Sequence, residues 1–199
     1  MDRKHLAINN LLAETAHLIR REKEATGDVE PTEGYKRGQV EKLKQFATLH
    51  NRWIDFNNLP LSYLNKGGEN EVFTGDEDIV VKLNNFEYAG DDLTNFFIRM
   101  EVHNHFFRNV VYTLNGFAYN SLHEFCAVLV QPYVRAKREA TEEEIAAYMK
   151  ALGFDMDYMD EFHNKDYEIF DAVPNNVLYG IDNKLYFIDT QIRLRTNDE

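Results

Sequence analysis

Phe170-Asp171-Ala172-Val173-Pro174-Asn175-Asn176-Val177-Leu178, followed by Tyr186-Phe187-Ile188-Asp189, is the stretch on which the reading of this chain turns. It places an aspartate, an asparagine five residues on, and a second aspartate thirteen further, at the end of an apolar run. Asp182-Asn183 between the two apolar runs reads as a hairpin turn, since both residue types tolerate left-handed backbone. Oxygen-bearing side chains so spaced suit phosphoryl transfer. Asp171 would orient or accept the proton of an attacking hydroxyl, while Asn176 and Asp189 would hold Mg²⁺ on the phosphates of a nucleotide.

The bulk composition fits one domain, or one domain with an appendage. At 199 residues the chain is long enough to bury a proper core, and its 44% hydrophobic content excludes a disordered polymer. A net charge of −12 argues against a general binder of nucleic acid or anionic membrane. The single cysteine, Cys126, lies inside the apolar run Phe125–Val130, so it is expected as a buried thiol in a reducing cytoplasm. No apolar run approaches the ~18 residues of a membrane span, and no signal peptide is expected.

Ahead of the decisive stretch, Leu6, Ile8, Leu11, Leu12, Leu18 and Ile19 predict a helix from His5 to about Glu24. Thr26–Gly34 reads as a loop, and Val40, Leu43, Phe46, Ala47 and Trp53 as the stripe of a second helix. Residues 1–60 are thus expected to form a helical extension. His17 and His50 are expected as ordinary surface or core histidines.

From Leu61 the texture changes to short strands. Lys66-Gly67-Gly68-Glu69 leads into a strand through Val72; Gly75-Asp76-Glu77-Asp78 turns; Ile79-Val80-Val81-Lys82-Leu83 returns. Gly67 and Gly68 allow backbone N–H groups close to phosphates, Val72 would lie against a base, and Lys82 would reach phosphate oxygens. Asp91 or Asp92 caps a helix striped by Leu93, Phe96, Phe97, Met100 and Phe107. Glu101, on that helix, is a candidate partner for Lys82, because a buried ammonium needs a carboxylate. Glu101 and His105, four residues apart, share a helix face with His103 nearby, but His103 and His105 point to different sides and no third ligand with useful spacing is evident, so helix-surface histidines are the expectation rather than a metal site. Val110–Leu114, Phe117–Leu122 and Phe125–Val130 read as strands, with a turn at Asn115-Gly116. Thr141-Glu142-Glu143-Glu144 is a capping box opening a helix over Ile145, Tyr148, Met149 and Leu152, stopped by Gly153. Asp155 to Lys165 is expected as a solvated loop or helix; its acidic cluster lacks the glycine turn of a calcium loop.

Taken together, the G-x-E-x-x-V turn at Gly67–Val72, Lys82, Glu101 and the D-x-x-P-x-N segment at Asp171–Asn176 resemble the protein kinases. The short length particularly resembles the small Ser/Thr/Tyr kinase domain of bacterial polyvalent (mobile-element) proteins. The resemblance covers about two-thirds of the chain. It implies an α+β, minimal two-lobed kinase-like fold. An N-lobe and hinge would span 61–134, a short, truncated C-lobe 135–199. It implies ATP and Mg²⁺ as cofactors, a Lys82–Glu101 pair, adenine contacts near Gln131 and Tyr133, and a protein or small hydroxylated substrate. The chain departs from the kinase pattern at several points. Ile169-Phe170 stand where histidine and arginine usually precede the catalytic aspartate, Val173 where a lysine follows it, and Thr190-Gln191 where Phe-Gly follows the metal-binding aspartate. Only ten residues follow Asp189, too few for the segment and helices that seat a peptide in a typical protein kinase. The N-terminal helices are a candidate source of that missing packing. Two other readings stay open: a pseudokinase, binding nucleotide or acting as a scaffold, and an unrelated α+β interaction protein.

Overall fold

A computed structural model describes residues 3–26, 32–75, 78–158 and 160–195, with side chains from residue 11 onward except Thr26. The contributions expected of Leu6 and Ile8, the loop at 27–31 and the turn residues Asp76 and Glu77 lie outside the described residues. The chain is α+β, and its backbone divides into two compact units: residues 1–101 with 112–132, and residues 102–111 with 133–199.

In the first unit, α1 (Arg3–Thr26) buries Leu11, Leu12, Thr15, Ala16 and Ile19, a stripe at three- and four-residue spacing. The helix α2 (Glu33–Leu49) starts at Thr32, whose hydroxyl accepts from Tyr35 N, and buries Gln39, Leu43 and Ala47 four residues apart. Trp53, expected on this helix, lies beyond it. The helix ends at His50, Asn51 takes a left-handed φ of 52°, and Trp53 bridges to Phe117 in parallel.

Strands β1 (Ser62–Lys66), β2 (Asn70–Thr74), β3 (Ile79–Asn84), β4 (Thr113–Tyr119) and β5 (Phe125–Pro132) form an antiparallel sheet ordered β1-β2-β3-β5-β4. Alternation along β5 makes both faces apolar. Phe125, Ala127 and Leu129 join a core with α1, α2 and α3 (Leu93–Phe106), while Cys126 and Val128 pack with Val81, Leu83 and Phe56 on the other side. The N-terminal helices are therefore the cover of this sheet, and the packing they supply is here. Cys126 is buried as expected, and burial pushes its thiol up to about 12.

Asn115-Gly116 is not a turn between strands but a bulge within β4. Gly116 has a φ of 154°, and any Cβ there would strike the Arg52 carbonyl oxygen, which accepts from Phe117 N at 2.9 Å.

In the second unit, β6 (Ala136–Glu139) is followed by α4 (Glu142–Ala151). The expected capping box is present: Thr141 Oγ1 accepts from Glu144 N, and the Glu144 carboxylate accepts from Thr141 N. Gly153 ends the helix at a φ of 86°. The acidic stretch expected as loop or helix is instead a hairpin, β7 (Asp155–Tyr158) and β8 (Glu161–His163). Every second residue decides it: Phe162, 2% exposed, pairs with Met156 on one side and with the buried Ile169 of β9 (Tyr167–Phe170) on the other. Then come β10 (Val177–Gly180), β11 (Leu185–Phe187) and β12 (Gln191–Leu194), giving antiparallel sheets ordered β11-β10-β6 and β12-β9-β8-β7. No helix among the described residues is long and apolar enough to cross a membrane.

Because Ile19 is fully buried in the core shared with the sheet, Ile19→Ala is expected to cost about 2–5 kcal/mol in denaturant unfolding. A chain starting at Leu61 should give no cooperative transition; a native-like transition from it would contradict the structural role of α1 and α2.

Candidate functional site

The second unit brings three of the predicted residues into one neighbourhood through two sets of strand pairs. Antiparallel pairing sets Phe170 of β9 opposite Gln191 of β12, so Asp171 leaves its strand where the chain returns from Asp189. The β10–β11 hairpin, turned at Asn183 with a φ of 65°, pairs Val177 with Phe187. One step further, Ile188 N donates to Asn176 O at 2.9 Å, which makes Asp189 the next residue along from that bond. Pro174–Asn176 is a single 3₁₀ turn closed by Asn176 N donating to Val173 O. The Asn176 amide Nδ2 donates to the Asp171 carbonyl at 3.0 Å. With its nitrogen so engaged, Asn176 keeps Oδ1 as an acceptor.

Asp171 is exposed and takes a φ of 56°, a left-handed conformation that costs a non-glycine residue about 1 kcal/mol or more. Aspartate tolerates it better than most. Beneath it, Ala172 is buried. Asp189 is half-buried.

His103 was expected on a helix surface; it is fully buried in this unit, and its Nε2 donates to the Phe187 carbonyl at 2.8 Å. Phe107 stacks on Phe187 with ring centroids 4.3 Å apart. The end of β11, two residues before Asp189, is thus held by a ring and a hydrogen bond. His105 is exposed, and no group of three or more His, Cys, Asp or Glu side chains suited to a metal occurs among the described residues. In the acidic stretch, Asp157 pairs with His163 at 2.8 Å.

In the first unit, Gly67 and Gly68 form the exposed turn joining β1 to β2, closed by Gly67 N donating to Asn70 O at 2.9 Å. Val72, Lys82 and Leu129 pair across three strands in one row and therefore share a sheet face. Lys82 is 5% exposed, and its Nζ donates to the Tyr112 hydroxyl at 3.2 Å and lies 5.1 Å from that ring's centre. Gln131 is buried at the end of β5, and Tyr133, two residues on, is exposed.

Glu101 corrects the sequence reading. It does not pair with Lys82; it forms an ion pair with Arg20 of α1. The physical reason is the docking of α1 on the same core as α3, which brings a guanidinium to the Glu101 carboxylate. Sequence reasoning also missed Tyr112, and Arg99 of α3, which grips Glu69 in the glycine turn at 2.6 and 3.0 Å. No local signal marks either contact, since Arg99 and Glu69 are 30 residues apart.

The start of α3 has its own anchor. Asp92 Oδ1 accepts from Thr94 N and from Gln39 Nε2, Asp92 Oδ2 accepts from Lys23 Nζ, and Gln39 Oε1 accepts from Leu93 N. Burial raises the Asp92 pKa, but the hydrogen bonds from Thr94, Gln39 and Lys23 outweigh it and hold the carboxyl down at about 2.

The α+β chain, with its glycine-turn hairpin and buried strand lysine, is compatible with a small domain of the protein-kinase class. Residues 36–196 match the family described as Serine/Threonine/Tyrosine Kinase found in polyvalent proteins, and the chain belongs to that family. The helix α1, with Arg20, lies outside the matched residues. No curated protein matches the chain.

Since the Asp92 pKa is lowered on folding, its stabilisation is complete above about pH 4 and is lost as pH falls toward 2. Asp92→Asn, which keeps an acceptor but removes the charge, is expected to lose about 2 kcal/mol at pH 7. Denaturant unfolding at stepped pH should show a shallower acid-side decline for the variant; parallel curves would deny Asp92 this role.

Proposed function

We propose that the chain is an ATP- and Mg²⁺-dependent phosphotransferase that moves a γ-phosphoryl group to a hydroxyl acceptor, as a Ser/Thr/Tyr protein kinase does. The observation that carries this reading is the neighbourhood of Asp171, Asn176 and Asp189, held by Asn176 Nδ2 on the Asp171 carbonyl and Ile188 N on the Asn176 carbonyl. Membership of the kinase family supports it. A two-lobed architecture, with the adenine contacts near Gln131 and Tyr133, is part of the same proposal.

The donor set fits Mg²⁺. This cation takes hard oxygen ligands and keeps several waters, so an amide oxygen and a carboxylate are enough protein ligands. Asn176 through Oδ1 and Asp189 through its carboxylate would hold it. Bound there, Mg²⁺ supplies neutralisation of charge on the phosphates.

Each residue then has a role in this proposal. Asp171, exposed and in a fixed backbone conformation, orients the acceptor hydroxyl and takes its proton. Lys82 serves phosphate oxygens, its aliphatic stem packed in the sheet face and its ammonium steadied by Tyr112. Gly67 and Gly68 allow close approach of backbone N–H groups, and Val72, in register with Lys82, offers an apolar surface to the base. The engagement of Glu101 with Arg20 favours a second reading, a nucleotide-binding module that does not transfer phosphate.

Calorimetric titration with ATP separates these. Binding that needs Mg²⁺ and is weakened at least tenfold in Asp189→Ala is expected under both readings. Asp171→Asn should keep that affinity and lower any transfer or ATP turnover by about 10²–10⁴-fold. Wild-type binding without turnover would select the second reading, and no binding by folded protein would end both.

A further inference from the structure

On the face of the first sheet opposite Lys82 lies a cavity of about 340 Å³. Alternation along β2 and β3 sets Glu71, Phe73 and Leu83 on this face and Val72 and Lys82 on the other. Phe56, from the short 3₁₀ turn ahead of β1, and Tyr63 of β1 also line it. Phe73 meets both rings edge-on, with centroids 4.9 Å from Phe56 and 5.7 Å from Tyr63. A volume of this order lies at the lower end of small-molecule sites, and the three aromatic side chains line it beside the polar Asn57, Glu71, Asn120 and Ser121.

Of these polar groups only Glu71 is charged. Glu71 accepts one long hydrogen bond, 3.4 Å, from Asn120 Nδ2, which also donates to Glu124 at 2.8 Å. Lys66 Nζ stands 3.8 Å from Glu71 on a side chain that is 58% exposed, whereas the Glu71 side chain is only 16% exposed. A carboxylate offers about four acceptor positions, so Glu71 retains capacity for a further donor. Three rings beside a half-buried carboxylate make up the chemistry that recognises organic cations.

We propose that this cavity binds a small organic ammonium ion bearing an apolar group, the ammonium on Glu71 and the apolar body among Phe56, Tyr63 and Phe73. The site is separate from the nucleotide residues and does not depend on the phosphotransferase reading. Titrating the full chain with phenethylammonium and with phenylacetate, followed by NMR shifts or calorimetry at near-physiological salt, tests both parts. Saturable binding of the ammonium and not of the carboxylate is expected. Glu71→Gln should weaken it about tenfold or more, as loss of a charge-assisted contact does. Tyr63→Ala, at a side chain already 61% exposed and so safe for the fold, should weaken it as well. Absence of saturation at millimolar ligand, equal binding of the two probes, or wild-type affinity in both variants would overturn the proposal. Attraction to the net charge of −12 alone would survive Glu71→Gln and counts as the last of these.

Discussion

Asn176 is bonded at both ends, and the second unit's candidate site depends on it. Its side chain holds the carbonyl of Asp171, and its own carbonyl is held by Ile188 N. One residue thereby ties the end of β9 to the end of β11. Neither bond is worth more than about 1–2 kcal/mol by itself. Their effect is geometric: they tie together the backbone that carries Asp171, Asn176 and Asp189, which a loop of this length would otherwise leave to many conformations, each costing entropy to restrain. The left-handed backbone at Asp171 belongs to the same constraint, since a strained residue persists only where its surroundings over-determine it.

The first unit rests on a different constraint, a sheet whose inner strand β5 is apolar on both faces. Phe125, Ala127 and Leu129 face one way, Cys126 and Val128 the other, and neither set is stable in water. The segment ahead of β1 covers one face with Phe56. Three helices cover the other. Helices that began as an apparent appendage are in this sense part of the sheet's solubility, and the family match beginning at residue 36 already takes in most of α2.

What the sequence disclosed was whatever is local. The aspartate–asparagine–aspartate spacing, the Asp182-Asn183 turn and the Thr141 capping box are each written in short, contiguous stretches, because turns and caps are satisfied by near neighbours. The β7–β8 hairpin was hidden because its outward residues, Asp155, Asp157 and Glu161, carry charges that read as a solvated loop. Only the pairing of Phe162 with Ile169 declares it. The bulge at Gly116 reads as a turn, since Asn-Gly is a strong hairpin signal and nothing nearby announces the Arg52 carbonyl. The partner of Glu101 was wrong for the same physical reason. Arg20 is 81 residues away, and no periodicity relates them.

The Arg20–Glu101 pair bears on the candidate site. An ion pair with side chains 41% and 31% exposed adds under about 1 kcal/mol, so Arg20 contributes little to holding α1 in place. The apolar stripe from Leu11 to Ile19 does that. The direction of dependence is then clear: buried methyl and methylene groups of α1 set the helix's position, and the position delivers a guanidinium to Glu101. Arg20 is the cation that the Glu101 carboxylate meets. A helix outside the family's matched residues therefore acts, through packing first and charge second, on a residue inside them.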